Sequence, residues 1–171
     1  KHVPVAVGYM MRYHFCAIRL KKLLEEGAVG QLHSAALTVH SYVPDWHPYE
    51  RCDEFYAGSH RLGGGVVLTE NHELDLMHWY FGSPRRLWAL GGKQSVLPID
   101  VDDTAIVLME FSHKDRWFPV SMNLSFVQKS LTRNMILYGD KGWIEWDISN
   151  SRMVVHDVVR NRQEICEDPD F

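Results

Sequence analysis

The sequence predicts an α+β domain, in which helices cover one face of an open, mostly antiparallel sheet. Three observations predict it. Helical periodicity is confined to two segments in the first half of the chain. The second half holds a series of short segments rich in β-branched and aromatic residues, joined by short, turn-rich links. Short links favour antiparallel pairing, and strands in series beside segregated helices are typical of the α+β class.

The first half of the chain begins with Val-Pro-Val-Ala-Val at residues 3–7, which predicts a short buried strand. Residues 15–26 have apolar side chains at helical spacing and end at Gly27, which predicts a helix. Residues 32–43 partly alternate between polar and apolar and predict a long strand. Residues 44–59 are rich in aromatic residues and prolines and predict a loop.

A glycine triplet at residues 63–65 precedes a second helical segment, residues 66–81, which Gly82 and Pro84 close. Six further strands are then predicted, at 87–89, 104–111, 118–125, 134–138, 143–146 and 153–158. The end of the chain, from residue 160, is polar and is expected to be frayed.

Composition narrows the classes of function. The chain has 171 residues and 46% hydrophobic residues, as expected for one globular domain. The net charge of −4 argues against a nucleic-acid surface, and no apolar run is long enough to span a bilayer. Three widely spaced cysteines without a C-x-x-C pair favour a reducing cytoplasm. The first residue is not Met, and we expect the chain to be part of a longer protein.

The usual phosphate-binding and zinc-binding motifs are missing. Neither G-x-G-x-x-G nor a P-loop occurs. The glycine triplet before a helix is compatible with an anion at the helix N-terminus, or with a turn that lets the helix start close to other backbone. His72-Glu73 superficially resembles the start of a zinc-protease motif, but the second histidine is replaced by Leu76.

Three groups of residues could bind or transform a small molecule. His72 and Asp75 share one helix face, where His72 could act as a proton donor or acceptor, or could be a core histidine satisfied by Asp75. Arg12, followed by His14, could hold a carboxylate or phosphate, or could form a surface ion pair. The third group is a loop that could bind a sugar-like polyol, or could be a solvated loop pinned by its tryptophan; it contains Asp45, Trp46 and His47.

The order of these motifs resembles the C-terminal part of the Gfo/Idh/MocA oxidoreductases. Val7-Gly8-Tyr9 through Arg12 is similar to the strand that leads out of that family's nucleotide-binding domain. Glu25-Glu26-Gly27 through Gly30 is similar to the step into its sheet. The glycine triplet followed by His72 and Asp75 is similar to its G-G-G…H-x-x-D helix, and residues 139–142 to its G-x-x-G hairpin.

The resemblance implies a fold like the C-terminal domain of glyceraldehyde-3-phosphate dehydrogenase, with an NAD- or NADP-binding domain elsewhere in the intact protein. It implies three segments: 1–12 as the last strand and linker of the nucleotide-binding domain, 13–160 as the substrate-binding and oligomerisation domain, and 161–171 as a polar tail. The implied substrates are sugars, nucleotide sugars, cyclitols or related polyols. The implied catalytic residue is His72, and no metal is implied.

One departure from the family pattern affects the site. Many members carry an Asp four residues before the helix histidine, and here that position is Leu68. His72 would then rely on Asp75, Glu70 or His47, or most of the proton transfer would fall to the catalytic lysine of the nucleotide-binding domain. The family's catalytic lysine lies in an E-K-P motif, which does not occur in this chain.

The leading hypothesis is hydride transfer between NAD(P) and a secondary alcohol by the intact protein, with this chain alone inactive. The alternatives are a non-catalytic oligomerisation or ligand-binding module, and a metal site formed by His72, His47 and Asp75. An open sheet face would aggregate if left bare, which predicts a homodimer or larger homo-oligomer. The residues expected on that face are Trp117, Phe118, Met122 and Leu124.

Overall fold

A computed structural model describes residues 2–167 as three helices and one eight-stranded sheet. The helices are α1 (Phe15–Glu25), α2 (Val66–Thr69) and α3 (His72–Phe81). The strands are β1 (Leu32–Tyr42), β2 (Arg86–Gly92), β3 (Thr104–His113), β4 (Arg116–Ser125), β5 (Val127–Gly139), β6 (Gly142–Asp147), β7 (Arg152–Asp157) and β8 (Arg162–Glu167). No helix among these residues is long and apolar enough to cross a membrane.

The strands lie in the order β2-β3-β4-β1-β5-β6-β7-β8. Neighbours pair antiparallel except β1 and β4, which are parallel. The antiparallel pairs other than β1–β5 are hairpins or close neighbours in sequence, whereas β1 enters the sheet from far away in the chain. The predicted α+β class with a mostly antiparallel sheet is confirmed.

The helices lie on one face of the sheet, and the core lies between them. Leu37 of β1 is opposite Met122 on one side and Met135 on the other, and all three side chains are buried. Helix α3 packs on this layer through Phe81, whose ring lies 5.0 Å from that of Phe118. Helix α3 also contacts α1, because the Tyr80 hydroxyl donates to a carbonyl of α1.

The opposite face of the sheet is open, but it is not lined by the residues expected from the sequence. Phe118, Met122 and Leu124 are fully buried under the helices, and only Trp117 faces outward, with 60% of its surface exposed. Successive residues of a strand point to opposite faces, so Trp117 and Phe118 cannot share one. The open face instead carries an apolar patch from β2, β3 and β4, consisting of Trp88, Leu90, Ile106, Leu108 and Trp117.

The predicted helix 66–81 is broken into α2 and α3 at Glu70 and Asn71. The side-chain amide of Asn71 donates to the Leu68 carbonyl at 2.8 Å. In a continuous helix that carbonyl would accept from the backbone N–H of His72. The break therefore follows from a local side-chain bond competing with the helix, as asparagine often does.

Both ends of the described chain differ from expectation. Residues 3–7 form no strand, and Val5 is 91% exposed, so the predicted short buried strand is wrong for the described chain. At the other end, β8 pairs with β7 through contacts such as Ile165 opposite Val154, so much of the expected frayed tail is an edge strand. Residues 168–171 lie outside the described residues.

The loop from β2 to β3 is fixed by one buried carboxylate, that of Asp103. It accepts hydrogen bonds from the backbone of Gln94 and from the backbone and hydroxyl of Ser95, at 2.6–2.9 Å. Thr104 donates a further bond. Burial by itself would raise the pKa of Asp103, but these donors outweigh it and hold the pKa below its usual value.

We expect Asp103→Asn to lower the free energy of unfolding by about 2–3 kcal/mol, because the amide NH2 faces donors that the carboxylate accepted from. Because the pKa of Asp103 is lower in the folded state than its unfolded-state value of about 4, the ionised carboxylate stabilises the fold at pH values above that unfolded-state pKa. This stabilisation is lost as the pH falls through the folded-state pKa. The difference between parent and variant should thus be constant at about pH 5–8 and shrink in acid. Urea unfolding at several pH values measures it. The exposed Asp115→Asn serves as control, and a pH-independent difference would contradict the assignment.

Candidate functional site

The first cluster of candidate residues forms where the turn Met10–Tyr13 meets α3. Arg12 binds Asp75 through two parallel bonds, Nε to Oδ2 at 2.8 Å and Nη2 to Oδ1 at 2.6 Å. The hydrogen bond to Asp75 raises the pKa of Arg12 above its usual value, so its charge is permanent. Arg12 is a third exposed and Asp75 is nearly buried. The pair therefore presents guanidinium donors toward solvent from a fixed position.

His72 is the first residue of α3 and lies beside this pair. Its Nδ1 is buried, and within residues 2–167 the imidazole has no hydrogen-bond or ion-pair partner. Asp75 bonds to Arg12 instead, so the interpretation of His72 as a core histidine satisfied by Asp75 is wrong. An unpartnered imidazole at a half-buried helix start can exchange a proton with a ligand.

Tyr9 also belongs to this cluster, although the sequence did not indicate a role for it in a site. Its ring centroid lies 6.5 Å from that of His72 with the planes at 86°. The Arg12 guanidinium lies over the same ring, 5.7 Å from its centroid. Tyr9 adopts a left-handed backbone conformation, with φ 39° and ψ 56°. No sequence pattern signals this conformation, which bulky residues rarely adopt.

His14 has a structural role in the chain. Its Nδ1 accepts from the backbone N–H of Cys16 at 3.1 Å and so caps α1. Its Nε2 lies 3.0 Å from the Ser151 hydroxyl, and its ring packs on Trp146. Because Nδ1 is an acceptor, the neutral ring carries its proton on Nε2 and donates it to Ser151. Both nitrogens are thus engaged away from Arg12.

The aromatic loop forms a second cluster. Trp46 packs edge-on against Phe126, at 5.4 Å between ring centroids, which anchors the loop to the core. His47 lies on Phe55 and is 2.7 Å from the Tyr49 hydroxyl through Nδ1. Asp45 is exposed at the end of a 3-10 turn. The ring of Tyr49 is 80% exposed, so this loop offers an aromatic surface with polar tips to solvent.

The two clusters do not meet through any hydrogen bond or ring contact among residues 2–167. The proposed metal set of His72, His47 and Asp75 is therefore divided between them, and no group of three potential metal ligands occurs in the described part of the chain.

Buried charges lie beneath the start of α3, and the sequence did not reveal them. Glu73 is fully buried and bonds to Arg133 of β5. Two residues before His72, Glu70 is also buried and accepts a bond from Ser41 at 3.0 Å. Burial raises the pKa of Glu70, although the Ser41 bond and the charge of Arg133 act in the opposite direction. Glu73, the residue that gave a superficial zinc-protease pattern, thus anchors α3 to the sheet.

Leu68, which stands where many family members carry an Asp, is 61% exposed on α2. The break after Glu70 separates it from the regular helix that carries His72. In this chain, therefore, the residue four positions before His72 does not share a helical face with it.

At Gly64 and Gly65 of the glycine triplet the backbone lies so close to neighbouring segments that a side chain would not fit. A Cβ on Gly64 would lie 2.3 Å from the Tyr56 carbonyl oxygen, and one on Gly65 would lie 2.3 Å from Asp102 Oδ1. Asp102 accepts from the backbone N–H groups of Val66 and Val67 at the start of α2, through its own carbonyl and its carboxylate. The chain's own acid thus takes the place that an anion would occupy, and the interpretation as a turn is confirmed.

Comparison with known proteins gives one family. The model of the GFO/IDH/MocA C-terminal domain matches residues 17–145. No curated protein matches the chain significantly.

Solved structures similar to the chain include three with bound nicotinamide cofactors. An oxidoreductase from Agrobacterium radiobacter, in complex with NAD+, L-tartaric acid and magnesium, is 20% identical with a TM-score of 0.72 over 96% of this chain. Levoglucosan dehydrogenase, in complex with NADH and levoglucosan, is 17% identical with a TM-score of 0.76 over 95%. An inositol dehydrogenase homolog from Azotobacter vinelandii, complexed with NAD+, is 15% identical with a TM-score of 0.72 over 93%.

These likenesses establish the fold. The chain spans less than half of each of those proteins, namely 46%, 46% and 42% of their lengths.

The buried ion pair of Glu73 and Arg133 under α3 is expected to affect the stability of the fold. Arg133→Met leaves Glu73 buried without its cation, which should lower the free energy of unfolding by about 3–5 kcal/mol. In the double variant Glu73→Met/Arg133→Met both charges are gone, and we expect a stability close to that of the parent. Urea unfolding followed by tryptophan fluorescence measures this, with the exposed Arg116→Met as control. A double variant as unstable as the single one would show that the ion pair is not the cause.

Proposed function

Because the chain belongs to the Gfo/Idh/MocA family through its C-terminal domain, we propose that the intact protein is an NAD(P)-dependent oxidoreductase. Its proposed substrates carry a secondary alcohol, on a sugar, a nucleotide sugar or a cyclitol. Family membership supports the reaction class. Bound levoglucosan in one similar structure, and an inositol dehydrogenase homolog as another, support polyol substrates. Residues 13–160 are proposed as the substrate-binding domain and residues 1–12 as the connection to the nucleotide-binding domain.

The dinucleotide is assigned to the rest of the intact protein. Within residues 2–167 the start of α2 does not fit its diphosphate, because Asp102 already accepts from the N–H groups there. The nicotinamide supplies or accepts the hydride, and the residues of this chain orient the alcohol and exchange its proton. We therefore expect the chain alone to be inactive.

The observation that carries the proposal is the unpartnered imidazole of His72 beside the bidentate Arg12–Asp75 pair. Oxidation of an alcohol requires that its hydroxyl proton leave, and a neutral imidazole can accept it, directly or by sharing a hydrogen bond with a stronger base. The guanidinium of Arg12 donates to neighbouring hydroxyls of the same polyol. Asp75 holds Arg12 in one orientation, which is the positioning that such a reaction needs.

The aromatic loop is proposed as the second wall of the substrate site. His47 and Asp45 offer polar groups to hydroxyls, and Trp46 fixes the loop to the core. His14 contributes indirectly, because its cap on α1 fixes the chain directly after the Arg12 turn. In this proposal Trp46 and His14 support the site from below and do not touch the reacting carbon.

We further propose that two copies of the chain associate through the apolar patch on the open sheet face. Leu108 and Trp88 are opposite each other on adjacent strands, and both are about half exposed. Glu110 and Arg86 form an ion pair at 2.9 Å beside them. A contiguous apolar patch edged by charges is typical of a protein interface, and a flat sheet lends itself to a self-complementary one.

We expect His72→Asn to lower kcat of the intact enzyme about 100-fold or more with a polyol substrate, because the proton acceptor is lost. The matched control is His78→Gln, an exposed histidine of the same helix. Steady-state kinetics with NAD+ and NADP+ over a panel of polyols measures both. Unchanged kcat in His72→Asn would remove His72 from the mechanism. An intact protein that oxidises none of the polyols with either cofactor would favour the non-catalytic module.

The proposed dimer is tested by Leu108→Glu, which places a charge in the apolar patch of both copies. We expect self-association to weaken by about 100-fold or more, seen by sedimentation velocity at micromolar concentration. Leu62→Glu, an exposed leucine outside the sheet, should leave association unchanged. A parent protein that is monomeric at these concentrations would contradict the dimer.

A further inference from the structure

Tyr9 is held in a backbone conformation that its side chain disfavours. Its φ of 39° lies in the left-handed region, which is unfavourable for residues with a Cβ. The other non-glycine residues of this kind among residues 2–167 are all in links between strands, and each is polar: Lys114, Asp115, Ser151 and Asn161. Tyr9, in contrast, carries a large aromatic ring outside the sheet. A residue kept in such a conformation points to a role for its side chain.

The ring of Tyr9 contacts two side chains of the described chain in aromatic and cation–π geometry, and both belong to the proposed site. It meets the ring of His72 at 86°, and it lies under the guanidinium of Arg12. The carbonyl of Tyr9 also accepts from the backbone N–H of Arg12 at 3.1 Å. One residue thus sets both the start of the Arg12 turn and the surface on which two side chains rest.

His72 depends on this ring more than a typical histidine would. Most functional imidazoles are oriented by a hydrogen bond at one nitrogen, yet no residue among 2–167 hydrogen-bonds to the imidazole of His72. Asp75, the nearest carboxylate along the helix face, is bound to Arg12. Among residues 2–167 the imidazole of His72 makes an edge contact with the ring of Tyr9. The contact with the Tyr9 ring therefore orients the imidazole of His72 in place of a hydrogen bond.

We propose that Tyr9 is a positioning residue that orients His72 and Arg12 toward the substrate. The left-handed backbone turns the ring back toward α3, where an extended tyrosine would point elsewhere. Perpendicular aromatic contacts and a cation over a ring face are each favourable. The first orients the His72 ring without a hydrogen bond, and the second supports the Arg12 side chain that Asp75 already binds. The inference rests on the proposed function, since it assigns the orientation to the reaction of His72.

The test compares three variants in the intact protein. Tyr9→Phe keeps the ring, and Tyr9→Asn removes it while tolerating the left-handed backbone better than tyrosine does. Tyr13→Asn, four residues on and 79% exposed, is the control for loss of a tyrosine in the same turn. Steady-state kinetics, thermal unfolding and the rotamer populations of His72, from NMR three-bond couplings, are measured for each.

We expect Tyr9→Asn to lower kcat about 10- to 100-fold with KM for the cofactor unchanged, and to leave the unfolding temperature at or above that of the parent. The His72 ring should then populate several rotamers, whereas Tyr9→Phe and Tyr13→Asn should keep one rotamer and the parent kcat. Tyr9→Asn with a single His72 rotamer would overturn the proposal, as would a lower unfolding temperature with unchanged kcat. If His72→Asn is fully active while Tyr9→Asn still frees the His72 ring, the catalytic role proposed for His72 is wrong and the positioning contact stands.

Discussion

The central position of β1, between parallel β4 and antiparallel β5, determines where the rest of the chain can lie. With β1 in the middle, the segment from Val43 to Phe81 must leave the sheet and return to its edge at β2. That segment contains the aromatic loop, α2 and α3. It covers one face of the sheet, and alternation along β1 supplies the apolar layer beneath it. The candidate site is thus built from the crossing segment and from the turn that carries Tyr9 and Arg12, with the sheet as its floor.

The sheet surface under the site is not wholly apolar, and its polar groups restrict the position of α3. Near the end of β1 the sheet contributes Ser41 and Arg133, which meet Glu70 and Glu73 of the segment above. The two acids thus share the charge of Arg133. Buried charges are costly unless paired, so they tolerate few alternative arrangements of the helix above them. The start of α3 is therefore held by groups with defined geometry, although the side chain of its first residue, His72, has no hydrogen-bond partner within residues 2–167. A rigid helix start with a free imidazole is suited to an incoming hydroxyl.

Periodicity along the chain predicted most of the fold. Each of the six strands predicted after Gly82 overlaps an observed strand, and the first predicted helix differs from α1 by one residue. The features of the fold that periodicity could not predict are determined by individual hydrogen bonds and ion pairs of polar side chains. Asn71 breaks a helix whose apolar pattern continues. Arg133 lies within β5 and binds Glu73, and Asp102 occupies the anion site that the glycine triplet suggested. In the site, spacing placed His72 and Asp75 on one helix segment but gave no sign that Asp75 pairs with Arg12. The part of Tyr9 depends on a backbone angle that no spacing encodes.

The pairing of β1 also bears on how the domain forms. The hairpins from β3 to β8 close over short links and can form early, but β1 must find partners as far away in the chain as Val120 and Met135. Non-local pairing of this kind slows folding, because the entropy of closing a long loop is lost before any contact compensates for it. During synthesis β1 leaves the ribosome before either partner exists, so its apolar face stays exposed while the remaining hundred or so residues are made. We expect this interval to be the stage at which the nascent chain depends most on chaperones.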